Sequence, residues 1–147
     1  RGWARKSCAR RQQEPLHLGG LWVRLDAGQW ETDKVTNCLF CAIAAGDIPA
    51  TIVAETDRVV VFADINPQAP IHVLAIPRDH HKDFAALVEA DPQLAVEVMA
   101  AATNAAQEAG LDDGYRIVFN TGNNAGQTVH HVHAHVLGGR QLTWPPG

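Results

Sequence analysis

A run of alternating histidines near the C-terminal end constrains the fold of this chain more than any other feature. His131, His133 and His135 are separated by single apolar residues, and this period of two predicts a half-buried β-strand over residues 131–137. Successive side chains of a strand point to opposite faces, so the three imidazoles should share one face, about 6.5–7 Å apart. Because each buried imidazole needs a hydrogen-bond partner, this pattern indicates a metal site or a catalytic row.

The chemistry of imidazole and the preceding loop favour a reaction at phosphorus. A neutral imidazole has a pKa near 6.5 and can attack an electrophile without prior activation. Neighbouring imidazoles can hold its tautomer or donate protons. Residues 123–128 are rich in Gly, Asn, Gln and Thr, and small residues of this kind let main-chain N–H groups approach an anion.

Length and charge limit the class of protein. The chain has 147 residues and a net charge of −4, so we expect one domain-sized core. Residues 1–36 carry seven Lys or Arg and four acidic residues, whereas the remainder carries five and twelve. The excess of acidic residues in the remainder of the chain argues against nucleic-acid binding. Apolar runs long enough for a membrane span or a secretory signal are lacking in the sequence. The three cysteines predict no disulfide framework, which favours a reducing cytoplasm.

The chain divides at residue 37 into an aperiodic, Arg-rich extension over 1–36, expected to be flexible, and a regular domain over 37–147. Asp91-Pro92 predicts a helix restart within a long helical region. Strands on either side of that region predict an α+β layered fold. The predicted helices cover residues 38–45 and 84–109, and the predicted strands cover 52–55, 59–63, 72–76, 115–120 and 131–137.

Two further motifs suggest binding sites. Cys38 and Cys41 form a C-x-x-C pair, which is half of a zinc site or a redox pair. Asp64 follows an apolar strand and precedes a second large apolar residue, which suits a ribose diol, although an aspartate here can equally cap a turn. If Cys38 and Cys41 bind zinc, two histidines must complete the site, and the candidates are His72, His80, His81, His130, His131, His133 and His135.

Together these segments resemble the histidine triad (HIT) superfamily, and within it the purine nucleoside phosphoramidases of the HINT branch. The resemblance covers about residues 37–147, and its strongest part is the histidine run with G-Q-T-V before it and G-G-R-Q and W-P-P-G after it. It implies a five-stranded antiparallel sheet with one long and one short helix, which dimerises into a ten-stranded sheet.

The resemblance also implies a mechanism and a set of site residues. His133 would attack the α-phosphorus of a purine nucleotide, expel an amine and form a nucleotidyl-histidine intermediate, which water would hydrolyse. His131, His135 and His72 would complete the catalytic group. The implied nucleotide-binding residues are Phe40, Ile43, Ile48, Phe62 and Ile65 around the purine, Asp64 at the ribose, Asn120, Gly126, Gln127 and Thr128 at the phosphate or leaving group, and Trp144 reaching toward the partner's site.

Zinc-binding relatives in this superfamily imply a structural zinc ion ligated by Cys38, Cys41, His80 and His131. The resemblance implies that the chemistry itself requires no metal or other cofactor. Two positions depart from better-known members: His130 stands where an aromatic residue is common, and Thr128 replaces a frequent serine. The expected function is therefore hydrolysis of purine nucleoside phosphoramidates by a homodimer, with aminoacyl-adenylates as a further expected physiological substrate. The alternatives are dinucleoside polyphosphate hydrolysis and a nucleotide-binding or scaffold protein with little activity.

Overall fold

The computed structural model describes residues 37–146, and its centre is a single five-stranded antiparallel sheet. The strands are β1 (Ile52–Glu55), β2 (Val59–Ala63), β3 (Ile71–Pro77), β4 (Tyr115–Val118) and β5 (Ala134–Gly138), in the order β1-β2-β3-β5-β4. The helices are α1 (Leu39–Ala45), α2 (Phe84–Ala90), α3 (Pro92–Glu108) and a 3₁₀ turn (Asn123–Ala125). The α+β fold with a five-stranded antiparallel sheet is confirmed. The predicted extension over residues 1–36 lies outside the described residues.

Local sequence signals account for the helix boundaries. Asp83 and Asp91 accept hydrogen bonds from the main-chain N–H groups of Ala86 and Leu94, which caps α2 and α3. Pro92 occupies the first turn of α3, where a missing N–H costs nothing. The predicted helical region over 84–109 therefore consists of two helices divided at the expected restart, and the described residues hold one long and two short α-helices.

Both faces of the sheet are covered. On β2, Val59 and Val61 face the core formed with α2 and α3, whereas Val60 and Phe62 face a smaller core beneath α1. This alternation follows the period-two geometry of a strand. No helix within residues 37–146 has the length and apolar character needed to cross a membrane.

The histidine strand is shorter than the sequence predicts, because β5 begins at Ala134 rather than at residue 131. The last pair of the β3–β5 ladder is Ala75 with Ala134. Ahead of it, the N–H of Val132 donates to the carbonyl of His81 at 2.7 Å, outside the ladder. His131 and His133 therefore lie in an irregular segment that enters the sheet, and only His135 is in the strand.

Candidate active site and metal centre

His133 is held as a neutral imidazole with its Nε2 unprotonated. Its Nδ1 lies 2.7 Å from the carbonyl oxygen of His131. A carbonyl can only accept, so Nδ1 carries the proton and Nε2 keeps its lone pair. The side chain is buried, and burial lowers its pKa below the ordinary value, against the opposing effects of this hydrogen bond and of Asp64. The geometry therefore presents a nucleophilic Nε2 near neutral pH.

His72 and His135 form a hydrogen-bonded pair whose tautomers are also set by the main chain. The N–H of Gln68 donates to Nδ1 of His72 at 3.1 Å, which leaves the His72 proton on Nε2. That group donates to Nδ1 of His135 at 2.9 Å and lies 3.5 Å from a carboxylate oxygen of Asp64. His135 consequently carries its own proton on Nε2 and can donate it to a hydrogen-bond acceptor.

The same hydrogen bonds argue against a metal between Asp64, His72 and His135, although their ligand atoms lie within 4.8 Å of one another. The lone pair of His72 is engaged by the N–H of Gln68, so its Nε2 has no electrons to give a metal. Burial, reinforced by His133 and His72, lowers the pKa of His135 to about 4. The pair is therefore a neutral hydrogen-bond network at pH 7.

A second group of donors fits a tetrahedral metal ion. Nδ1 of His131 lies 3.6 Å from Sγ of Cys38 and 3.4 Å from Sγ of Cys41, and Nδ1 of His80 lies 3.4 Å from Sγ of Cys41. Roughly 3.6 Å is the S···N edge expected for tetrahedral zinc with Zn–S near 2.3 Å and Zn–N near 2.05 Å. The structure therefore brings together four side chains of suitable chemistry at suitable spacing.

The surroundings of these donors support the same assignment. Nε2 of His131 donates to the carbonyl of Pro77 at 2.9 Å, which directs the Nδ1 lone pair at the thiols, as in metal-ligating histidines with an outer hydrogen bond. In the metal-free chain, burial and the neighbouring Cys38 raise the pKa of the Cys41 thiol to about 11. A bound cation would offset this penalty by favouring the thiolate.

The loop over residues 122–129 is shaped by Gln127. Its Oε1 accepts from the N–H of Gly122 at 2.9 Å, and its Nε2 donates to the carbonyls of Lys82 and Val129 at 2.6 and 3.2 Å. The buried amide is thus fully engaged by the main chain and holds the loop in place. Gly126 adopts a left-handed φ of +76°, next to the amide of Asn120, while Thr128 is exposed.

The residues expected around the purine are brought together only in part. Phe40 and Phe62 pack edge to face with ring centroids 5.6 Å apart, and Ile43 packs on the same cluster. Ile48 is at the margin of this region, with 37% of its surface exposed, whereas Ile65 and Trp144 are 100% and 84% exposed. One carboxylate oxygen of Asp64 accepts from the N–H of Asn66 at 2.7 Å.

Main-chain groups contribute to the site in ways that the sequence analysis missed. The carbonyl of Pro77, the N–H of Gln68 and the carbonyl of His81 each orient a histidine or the segment that carries it. Since every residue offers a main-chain donor or acceptor, side-chain identity gives no signal for these contacts. The one signal near this region is Pro77, which directly follows the predicted strand over residues 72–76.

Comparison with known proteins gives one consistent family. The model of the HIT domain family matches residues 45–142. The chain is 43% identical to a protein of Zea mays named 14 kDa zinc-binding protein, over 74% of this chain and 87% of that one. It is 49% identical to the crystal structure of a HIT family hydrolase from Legionella pneumophila, with a TM-score of 0.73, covering 76% of this chain and all of the other. A histidine triad nucleotide-binding protein from Candida albicans is 30% identical, with a TM-score of 0.65, over 74% and 83% of the two chains.

Proposed function

The chain belongs to the HIT domain family, and from that premise we propose that it is a hydrolase of purine nucleoside phosphoramidates. The observation that carries this proposal is the arrangement at His133. Its Nδ1–H is tied to a main-chain carbonyl and its Nε2 is left as a neutral base, beside the imidazole of His135 at a centroid distance of 4.8 Å. A fixed nucleophile next to a fixed hydrogen-bond donor suits displacement at phosphorus.

In the proposed reaction, Nε2 of His133 attacks the α-phosphorus while the P–N bond to the leaving amine breaks. The amine departs with a proton taken from solvent, and a nucleotidyl-histidine remains. Water then attacks the same phosphorus, releases the nucleoside monophosphate and restores neutral His133. His135 stabilises charge on a phosphoryl oxygen through its Nε2–H, whose direction is set by His72.

The proposed substrate contacts are to the ribose, the base and the phosphate. Asp64 would accept from the ribose hydroxyls, and Phe40, Ile43 and Phe62 would contact the base. Ile48 and Ile65 would close over it, since an exposed Ile65 gains burial when a ligand covers it. We assign Asn120, Gly126, Gln127 and Thr128 to the phosphate side, with Gln127 shaping the loop from within.

We also propose that Cys38, Cys41, His80 and His131 hold a structural zinc ion. Support comes from their spacing, from the outer hydrogen bond to Pro77 and from the name of the maize relative. Four protein ligands close the site, so the ion would supply folding stability rather than Lewis-acid chemistry.

A second copy of the chain is the proposed partner. Strand β4 lies at one edge of the described sheet, and Val96 and Met99, three positions apart on α3, are 60% and 37% exposed. Pairing of two β4 edges would bury both features and continue the sheet to ten strands. The exposed Trp144 would then reach the neighbouring site.

We propose that the HIT domain spans residues 37–147 and follows an N-terminal extension over residues 1–36. We also propose that the protein is located in the cytoplasm, where reducing conditions keep Cys38 and Cys41 reduced.

The decisive test is hydrolysis of an adenosine 5′-phosphoramidate by the wild-type chain and by His133→Ala, with His130→Ala as control. His130 is exposed and adjacent to the run, so its removal should leave the rate within about twofold, whereas His133→Ala should lose about a thousandfold or more. Preference for a dinucleoside polyphosphate offered as competitor would indicate a polyphosphate hydrolase. Nucleotide binding without turnover of either would indicate a binding protein.

A further inference from the structure

We propose that Cys38, Cys41 and His80 are positioning residues for His133, acting through the main chain of His131. The proposal rests on the nucleophilic role proposed for His133. His131 is the shared element, because its ring lies in the Cys/His cluster and its carbonyl accepts from Nδ1 of His133 at 2.7 Å. It is fully buried, with 0% of its surface exposed. Whatever fixes the His131 ring therefore also fixes the acceptor that sets the tautomer of the nucleophile.

The β3–β5 ladder does not hold the segment over residues 131–133, so its position depends on the bonds made by His131 and Val132 and on the burial of Val132 in the core. The β3–β5 ladder ends at the Ala75–Ala134 pair. Beyond it, the segment is attached to the last residue of β3 and to the chain that follows: Nε2 of His131 donates to the carbonyl of Pro77, and the N–H of Val132 donates to the carbonyl of His81. His80 is the neighbour of that second anchor and is itself a cluster member. Both hydrogen bonds therefore join the segment to residues 77–81, which include the cluster member His80.

Helix α1 connects the cluster to the nucleophile by a second route. Phe40 lies between the two cysteines in the sequence, and its ring packs edge-on against His133 at 5.1 Å and against His131 at 6.1 Å. The helix has only seven residues, too few to be stable without tertiary contacts. Cys38 and Cys41 therefore help to dock the helix that presents Phe40 to His133.

Loss of the cluster should change the tautomer of His133 before it changes the overall fold. If His131 moves, its carbonyl no longer holds the Nδ1 proton, and a fraction of His133 carries the proton on Nε2, where it blocks attack. One such hydrogen bond corresponds to about a tenfold change in the ratio of the two tautomers, so the reactive Nδ1–H fraction falls by at most about tenfold. Phe62 in β2 and Asp64 directly after it keep their places, whereas Phe40 moves with α1, so KM should rise as kcat falls and the His133 tautomer is the readout specific to this proposal.

The test compares full-length chains purified with zinc: the wild type, Cys41→Ala, His80→Gln, and His80→Cys, which keeps a ligand. Val98→Ala is the control, since Val98 is buried against the opposite face of the sheet, away from the cluster. Three quantities are measured: bound zinc, the ¹⁵N chemical shifts of the His133 ring, which report its tautomer, and kcat with KM on the phosphoramidate. Wild type stripped by a chelator and reloaded with Zn²⁺ provides the same comparison if a variant does not fold.

The expected result in Cys41→Ala, His80→Gln and the stripped wild type is loss of zinc, a mixed His133 tautomer, and a kcat that falls in proportion to the lost Nδ1–H fraction, by at most about tenfold. His80→Cys and reloading should restore all three, and Val98→Ala should lower the melting temperature alone. Retention of the Nδ1–H tautomer alone in zinc-free chains overturns the proposal. The ¹⁵N measurement does not depend on turnover, so a wild type that fails to cleave the phosphoramidate refutes the proposed function without deciding this question.

Discussion

Acidification should destabilise the protein through the His72–His135 pair. Burial and the neighbouring His133 and His72 lower the pKa of His135 to about 4, with Asp64 as the opposing charge. In the unfolded chain the same imidazole titrates near 6.5. The unfolded state therefore binds more protons between these values, and the stability contributed by neutral His135 is present above pH 6.5 and is lost as the pH falls toward 4.

The size of this effect follows from the two pKa values. At pH 5 the unfolded imidazole is almost fully protonated and the folded one almost fully neutral. Linkage then removes about 2 kcal/mol of unfolding free energy between pH 7.5 and pH 5. In His135→Gln this contribution is absent, while the amide oxygen of glutamine can still accept from Nε2 of His72. The wild type should therefore lose about 2 kcal/mol more than the variant over this interval.

Urea unfolding at pH 7.5 and pH 5, at fixed zinc concentration, measures this difference. Protonation of the Cys/His cluster affects both proteins alike and cancels in the comparison. His130→Gln removes an exposed histidine outside the pair and should behave as the wild type does. An equal pH dependence in wild type and His135→Gln would refute the reasoning, because it would mean that His135 is not buried as a neutral group.

Three further predictions concern the fold and the ribose contact. Asp83→Ala should cost about 1 kcal/mol in urea unfolding by removing the cap on Ala86, whereas Asp83→Asn, which keeps an acceptor, should cost far less. Gly138→Ala should cost about 2 kcal/mol, because the added Cβ would lie 2.5 Å from Cδ1 of buried Leu111; unchanged stability would show that Leu111 can move aside. Asp64→Asn should lower kcat/KM about tenfold for a ribonucleoside phosphoramidate and much less for its 2′,3′-dideoxy analogue, and equal losses for both would exclude the ribose contact.

Sequence patterns predicted the architecture well where a local rule decides the structure. The spans of β1 and β2 agree with their predicted residues, and the Asp91-Pro92 restart lies where α2 ends and α3 begins. The period-two rule was wrong for the start of β5. A strand at residues 131–133 would need a neighbouring strand to pair with, and the β3–β5 ladder ends at the Ala75–Ala134 pair. The roles expected for the individual site residues stay predictions, and the direct contacts of His133 are with Phe40, His131 and His135.

The sequence by itself determined which chemical groups this protein has and where along the chain they lie: three alternating imidazoles, a C-x-x-C pair and a Gly-rich loop, on an α+β scaffold whose apolar periods it also encodes. Only the tertiary structure decided which nitrogen of each imidazole carries its proton. That choice depends on main-chain groups that the fold brings to each ring, namely the N–H of Gln68 for His72, the carbonyl of the distant Pro77 for His131, and the carbonyl of His131 for His133. Main-chain groups are identical at nearly every position, so their partners can be known only once the chain has folded.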